Sequence, residues 1–251
     1  MAVRTDASSR FGKDHRWGMF WSLGLMWNIK NEPFLKDIEW LTGAQIALST
    51  GTSGNSEIPY YDHLALVSGG PKYNDEAGIY PKQSGNEELS WEQTWSNNIG
   101  LRLGFFNRVN LDIDFYHKKT TDMLMSVPES YAITGEGYRW DNIGAMVNRG
   151  VEVSVNSDII RTKDFTWNLN ANVSYNKNKL VELYNGVQEY VNSTTGLKFV
   201  VGHPVHEYFL NRYAGVNPAN GDALWYTKDG ELTTEFNDCL LYTSDAADDL
   251  I

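Results

Sequence analysis

Six segments of this chain alternate apolar with polar residues, and this pattern constrains the fold more than any other feature of the sequence. A period of two is that of a β-strand with one face in an apolar environment and the other in a polar one. The clearest segment, 165–176, places these residues on one face: Phe165, Trp167, Leu169, Ala171, Val173 and Tyr175. The other five are 17–29, 38–50, 95–105, 109–116 and 148–156. The chain is therefore predicted to be all-β.

The lengths of the segments and of their connections indicate the kind of sheet. A tilted strand needs about 9–11 residues to cross a membrane, and most of these segments reach that length. The short connections are 31–37, 106–108 and 161–164, and they alternate with long ones at 52–89, 121–144 and from 183 onward. Outer-membrane barrels have short periplasmic turns and long extracellular loops. The sequence thus predicts part of an antiparallel up-and-down transmembrane β-barrel, with six or more strands of a larger barrel.

Composition excludes several other classes of protein. The formal net charge of −11 and the lack of a basic cluster argue against a nucleic-acid partner. No apolar run approaches the roughly 18 residues of a membrane-spanning helix. Cys239 is the only cysteine, so an internal disulfide and a cysteine-based zinc site are excluded. Aromatic residues make up 13% of the chain, which suits rings at a membrane boundary.

Two other interpretations stay open from the residues alone. The first is a soluble, secreted, carbohydrate-binding β-sandwich in which Trp17, Trp21 and Trp27 line a core or a glycan platform. The second is a passive porin or a surface adhesin barrel. The first predicts folding without detergent.

Several motifs, in chain order, resemble those of SusC-like (SusC/RagA-type) TonB-dependent outer-membrane receptors. The stretch 4–12 (RTDASSRFG) is similar to the family's R-x-D-G-S-S-R-F-G, with Ala7 in place of glycine. The stretch 15–22 follows it with Trp21 in place of the usual proline. Further matches are 32–35 (EPFL), 85–92 (GNEELSWE), 114–122 (DFYHKKTTD), 142–144 (NIG), 148–152 (NRGVE), 176–179 (NKNK) and 215–221 (GVNPANG).

This resemblance implies nutrient uptake across the bacterial outer membrane. The family's barrel has about 22 strands around a plug, works with a SusD-like lipoprotein and the TonB energising complex, and imports oligosaccharides or peptides. The chain would then be a fragment of the C-terminal half of the barrel, in contact with outer-membrane lipid, and not an enzyme. We expect no cofactor, no metal and no catalytic residue. A leader and a plug are expected upstream of Met1.

The chain is predicted to divide near its end. Residues 1–238 are assigned to the partial receptor barrel. Residues 239–251 abandon the alternation, resemble translated adapter sequence and are predicted to be non-native, with a genuine acidic tail as the alternative.

Aromatic residues on the predicted extracellular loops are the candidate ligand contacts, because flat rings can stack on sugar faces. They are Tyr60, Tyr61, Tyr131, Tyr138 and Trp140. They could equally pack one loop against another or against a lipoprotein lid. His203 and His206 lack nearby cysteine or helical carboxylate partners, so a metal site is not predicted there. Asp112 and Asp114 share one strand face and are interpreted as part of a wet lumen wall.

Overall fold

The computed structural model of the chain describes residues 1–73, 76–128, 138–191, 197–205, 208–227, 229–236 and 241–244. It divides into two compact units, Met1–Lys177 and Asn178–Ile251. Within the described part of the chain, no helix is both long enough and apolar enough to cross a membrane.

The first unit is built from strands. In chain order they are β1 (Ala2–Ala7), β2 (Trp17–Trp27), β3 (Leu41–Asn55), β4 (Leu66–Tyr73), β5 (Glu76–Gln83), β6 (Glu92–Phe105), β7 (Val109–Thr121), β8 (Leu124–Pro128), β9 (Tyr138–Asn142), β10 (Ala145–Arg161) and β11 (Thr166–Glu182), the last of which runs into the second unit. Seven of them form one sheet in the order β1-β2-β3-β6-β7-β10-β11. The strand pairs β1-β2, β2-β3, β3-β6, β6-β7 and β7-β10 are antiparallel. The two hairpins β4-β5 and β8-β9 lie in the long connections.

The six segments predicted from the alternation correspond to β2, β3, β6, β7, β10 and β11, which confirms the all-β prediction. The prediction missed β1, whose six residues include Arg4 and Asp6, paired at 2.7 Å. It also began β3 too early, because Ile38 donates its N–H to Leu35 O in a turn and the strand begins only at Leu41.

The short connections are closed by local hydrogen bonds and backbone geometry. Phe106 and Asn107 both have φ of 54°, the left-handed conformation that a tight β-hairpin turn needs. The connection from β2 to β3 holds a 3-10 turn at Ile29–Asn31 and the helix α1 (Pro33–Lys36). Lys30 Nζ lies within hydrogen-bonding distance of the carbonyls of Leu35, Lys36 and Ile38 and so caps that helix end.

The second unit consists of small sheets of two or three strands. Its strands are β12 (Glu189–Val191), β13 (Lys198–Val200), β14 (Tyr208–Asn211), β15 (Tyr213–Val216), β16 (Ala223–Tyr226), β17 (Leu232–Thr233) and β18 (Leu241–Ser244), and a 3-10 turn lies at Tyr184–Gly186. The sheets are β12-β13, β14-β18 and β15-β16-β17. Leu180 and Leu183 are buried in this unit. The segment 217–222 forms a turn, in which Ala219 N donates to Asn217 Oδ1.

Candidate functional site

The large sheet has one apolar face. Side chains that lie directly opposite one another on paired strands share a face, so the registers define rows of neighbours across the sheet. One such row is Leu48, Ile99, Phe115 and Val151, and the next is Ile46, Leu101, Ile113 and Val153. Ile99 is 53% exposed and Phe115 48% exposed. A contiguous exposed apolar surface of this kind marks contact with a membrane or with another protein.

The opposite face of the same sheet is polar and carries hydrogen bonds between side chains. Asn98 Nδ2 donates to Ser49 Oγ at 3.1 Å, and Gln45 Nε2 donates to Asn28 Oδ1 at 3.0 Å. Tyr116 reaches across Gly150 and donates its hydroxyl to Asn176 Oδ1 at 2.9 Å. Amide and hydroxyl groups on an exposed sheet face suit contact with water or a polar ligand.

The two aspartates of β7 lie on this polar face, as the sequence predicted. Asp112 is opposite Arg102, and their side chains form a half-exposed ion pair at 3.8 Å. Asp114 covers Gly100, where a Cβ would lie 2.6 Å from the carboxylate oxygen. Among the described residues, no group of three or more acidic, histidine or cysteine side chains could hold a metal.

A small hydrophobic core forms at the end of the sheet where the long connections meet. Phe11, Ile58 and Leu89 are buried there, and three half-buried side chains pack against them: Trp91, Leu124 and Trp140. We call these six residues the loop-base cluster. The Phe11 and Trp91 rings are 5.5 Å apart, and Trp91 also meets Phe20 edge-on at 5.4 Å. Three separate connections thus share one core.

Hydrogen bonds fasten the same connections to each other. Asn142 Nδ2 donates to Ser90 O at 2.8 Å and lies 3.0 Å from Asp122 O, while Ser90 N donates to Asn142 Oδ1 at 2.6 Å. Asn86 Nδ2 donates to Trp140 O at 3.1 Å. One asparagine side chain therefore binds the backbones of two segments that are far apart in the sequence.

Several of the motif residues quoted above turn out to be anchors of this kind. Gly12 is required by space, since a Cβ there would lie 2.1 Å from Glu87 O. Glu92 accepts a hydrogen bond from Leu124 N at 3.1 Å, and Trp91 Nε1 donates to Arg16 O at 2.9 Å. From the sequence these residues stand out only as members of family motifs, and the motifs themselves are the signal that could have identified them as anchors.

Tyr60 and Tyr61 follow Ile58 of the loop-base cluster by two and three residues and are exposed by 67% and 63%. The guanidinium of Arg10 lies 4.7 Å from the centre of the Tyr60 ring. A hydrogen bond from Arg10, together with its charge, lowers the pKa of Tyr60 below its usual value. Arg10 is held in turn by donating to Ser56 O at 3.1 Å. Tyr61 has φ of 72°, an uncommon conformation for an aromatic residue.

The other three aromatic candidates are Trp140, Tyr138 and Tyr131. Trp140 is half-buried against the loop-base cluster, so part of its ring is used in packing. Tyr138 begins β9, with its Cα opposite Pro128. Tyr131 lies outside the described residues. The structure thus places Trp140 against the loop-base cluster and Tyr60 two residues after Ile58 of that cluster.

A second set of aromatic residues, which the sequence analysis did not single out, lies in the second unit. Tyr190 stacks on Phe199 at 6.0 Å and meets Tyr184 edge-on at 5.9 Å. Burial, followed by the influence of Tyr184, raises the pKa of Tyr190. These rings pack on one another, which identifies them as a local core.

Comparison with known proteins gives the family. The family model described as "TonB dependent receptor-like, beta-barrel" matches residues 1–244. The TonB-dependent receptor SusC of Bacteroides thetaiotaomicron is 35% identical over 276 residues, covering 99% of this chain. The TonB-dependent receptor P39 of Formosa agariphila is 39% identical over 183 residues, covering 72% of this chain.

Solved structures agree with the sequence comparisons. The RagAB peptide transporter matches with a TM-score of 0.85 and 36% identity over 97% of this chain. The "open-open" state of the RagAB peptide importer matches with a TM-score of 0.84 and 36% identity. The chain spans only part of these proteins, 27% of SusC, 18% of P39 and 27% of the matched RagAB chain.

These matches overturn the soluble-sandwich and passive-porin interpretations. They also confirm the predicted outer-membrane location and the prediction that this is no enzyme, because the family consists of outer-membrane transporters. The family model ends at residue 244, and the non-native origin of 239–251 stays a prediction. The chain belongs to the SusC/RagA-type TonB-dependent receptors and forms antiparallel strands of their outer-membrane β-barrel.

Proposed function

We propose that the chain supplies barrel wall and extracellular loops to an importer that takes up oligosaccharides or peptides with energy delivered through TonB. In this role the apolar face meets lipid and the polar face lines the lumen, the usual division in outer-membrane barrels. The observation that carries the proposal is the loop-base cluster, which fastens the two long connections 52–89 and 121–144 to the β1–β2 connection at the end of the lumen wall.

The proposed class of ligand, an oligosaccharide or a peptide, rests on the names of the related proteins. One is named SusC, and the matched structures are titled as a peptide importer and a peptide transporter. The polar face offers amide and hydroxyl groups together with carboxylates and the ion pairs Arg4–Asp6 and Arg102–Asp112, a chemistry that suits either an oligosaccharide or a peptide. We also propose that a SusD-like lipoprotein covers the receptor, as the paired name RagAB suggests.

Within the loops, we propose that Tyr60 and Tyr61 contact the ligand. Both rings are exposed, and their segment is fixed by Ile58 in the loop-base cluster and by Arg10 against the Tyr60 ring. A fixed, exposed ring loses little conformational freedom when a ligand stacks on it. Only the part of the Trp140 ring that does not pack against the loop-base cluster can contact a ligand. Tyr131 and Tyr138 remain sequence-based candidates.

The test is calorimetric titration of the purified full-length receptor containing this segment, with a panel of neutral oligosaccharides and a panel of short peptides. We expect one class to bind. Tyr61→Ala should weaken that binding about tenfold, which corresponds to about 1.4 kcal/mol.

The matched control is Tyr175→Ala, which removes an equally exposed tyrosine, 62% exposed, from the face proposed to meet lipid. This variant should bind like the parent receptor. Equal affinities for the parent and the Tyr61 variant would remove Tyr61 from the ligand site. A folded receptor that binds neither panel would contradict the proposed uptake of these ligands. Co-purification with a SusD-like lipoprotein tests the proposed partner separately.

A further inference from the structure

Three basic side chains lie on the apolar face of the sheet, close to its long-loop end. His117 of β7 is directly opposite Arg149 of β10. Lys119 follows two residues along β7, so it points to the same face. All three are exposed, and none has an ion-pair partner among the described residues.

A fourth basic residue, Lys177 of β11, extends this group. The hydroxyl of Tyr116 passes over Gly150 to reach Asn176, so these three residues share the polar face. Because successive side chains on a strand point to opposite faces, Lys177 lies on the apolar face beside Arg149. His117, Arg149 and Lys177 then form a line across three adjacent strands, with neighbouring strands about 4.8 Å apart. We call these residues, with Lys119, the basic row.

The charge on this face is of one sign, although the chain as a whole has a net charge of −11. The registers place Asp112, Asp114 and Glu152 on the polar face. No aspartate or glutamate occupies an apolar-face position of β6, β7 or β10 in the described chain. The basic row therefore has no acidic partner on its own surface.

The basic row lies at the level along the strands where we expect the surface of the membrane. One step toward the short turns lies the apolar row containing Ile99, Phe115 and Val151. On the side of the long loops, one step beyond the line of His117, Arg149 and Lys177, Lys119 lies opposite Trp95. Tryptophan is enriched where lipid headgroups begin. A hollow lined by Trp21, Trp95 and Lys119 opens on this face, next to the row.

We propose that the basic row binds the phosphate groups of a lipid headgroup in the extracellular leaflet. Unpaired cations beside an apolar surface need either water or an anion, and at this depth a lipid phosphate is the available anion. A guanidinium can hold a phosphate through two parallel hydrogen bonds, and a lysine ammonium adds a point charge. The Lys119 side chain beside the tryptophans can extend upward to the same headgroup.

The experiment measures which lipids stay with the purified full-length receptor containing this segment. The receptor is exchanged into nanodiscs containing phosphatidylcholine and a minor fraction of a phosphorylated lipid, either phosphatidylglycerol or lipid A, and the bound lipid is counted by native mass spectrometry. The parent receptor should retain the phosphorylated lipid in preference to phosphatidylcholine. In the double variant Arg149→Gln with Lys177→Gln, the ratio of retained phosphorylated lipid to phosphatidylcholine should fall at least fivefold.

Lys118→Gln is the matched control, because Lys118 precedes Lys119 on the same strand but lies over the Tyr116 ring on the polar face, at 5.3 Å. It removes one positive charge and should retain lipid like the parent. Equal retention by the parent and the double variant, with both inserted and folded by circular dichroism, would overturn the proposal. So would loss of the bound lipid on adding inorganic phosphate alone, because that outcome identifies a site for a free ion.

Discussion

An arginine in place of Leu101 tests which face of the sheet meets lipid and how deep each residue lies. From Trp95 to Phe105, β6 rises about 34 Å at about 3.4 Å per residue, and a strand tilt of about 40° reduces this to about 26 Å across the membrane. Outer-membrane barrels have an apolar band about 25 Å tall. Leu101 lies near the middle of this span, in the row with Ile46 and Ile113.

Arginine at the middle of the band destabilises an outer-membrane barrel by about 2–4 kcal/mol, and by about 0–1 kcal/mol near its edge. We therefore expect Leu101→Arg to lower the free energy of unfolding by about 2–4 kcal/mol. Asn97→Arg, two residues from Trp95, should lower it by only about 0–1 kcal/mol. Denaturant titration of the full-length receptor in lipid vesicles measures both. Asn98→Arg is the control on the polar face. Equal losses for Leu101→Arg and Asn98→Arg would refute the assignment of the faces.

Three further predictions concern the loops. Phe11→Ala removes a ring that is 0% exposed from the loop-base cluster, so we expect a local loss of about 3–5 kcal/mol and faster proteolysis of the loops, whereas the exposed Phe106→Ala should change neither. Gly12→Ala forces the backbone away from Glu87 O, which a Cβ would approach to 2.1 Å, and should speed amide hydrogen exchange in 86–92. Arg10→Gln should return the lowered pKa of Tyr60 toward its usual value of 10.0, seen as a tyrosinate absorbance difference at alkaline pH. With Arg10 present, the stabilising interaction with the Tyr60 phenolate is complete above the usual tyrosine pKa and is lost as the pH falls through the lowered one.

The strands of the large sheet could be predicted because their signal is local. Alternation is set by which side of the sheet each residue meets, so it is visible in ten consecutive residues. The strand β1 follows the same rule, with Val3 and Thr5 on one face and Arg4 and Asp6 on the other. It was missed because six residues with two charges resemble a loop. The ends of the strands were harder to predict, because they are set by turns such as the one at Ile38, and a turn leaves no mark on the alternation.

The loop-base cluster could not be predicted in the same way, because its contacts join distant parts of the chain. Phe11 comes from the β1–β2 connection, Ile58 and Leu89 from opposite ends of the connection 52–89, and nothing in the sequence around one of them specifies the other two. The hairpins β4-β5 and β8-β9 were likewise predicted only as loops, since their short strands lack long alternation. Local pattern therefore predicted the wall of the barrel and left out the assembly of its loops.

The motifs that identified the family explain why the ligand was harder to predict than the fold. Gly12, Trp91 and Asn142 belong to those motifs, and all three fasten loop bases through close packing or hydrogen bonds to the backbone. Residues of this kind specify a scaffold, and one scaffold can present many different loops. We therefore propose that selection of the ligand rests on side chains such as Tyr60 and Tyr61, which lie in the loops and carry no family motif. Exchanging these side chains should change what is bound while leaving the loop bases intact, whereas changing an anchor should disturb the loops for every ligand alike.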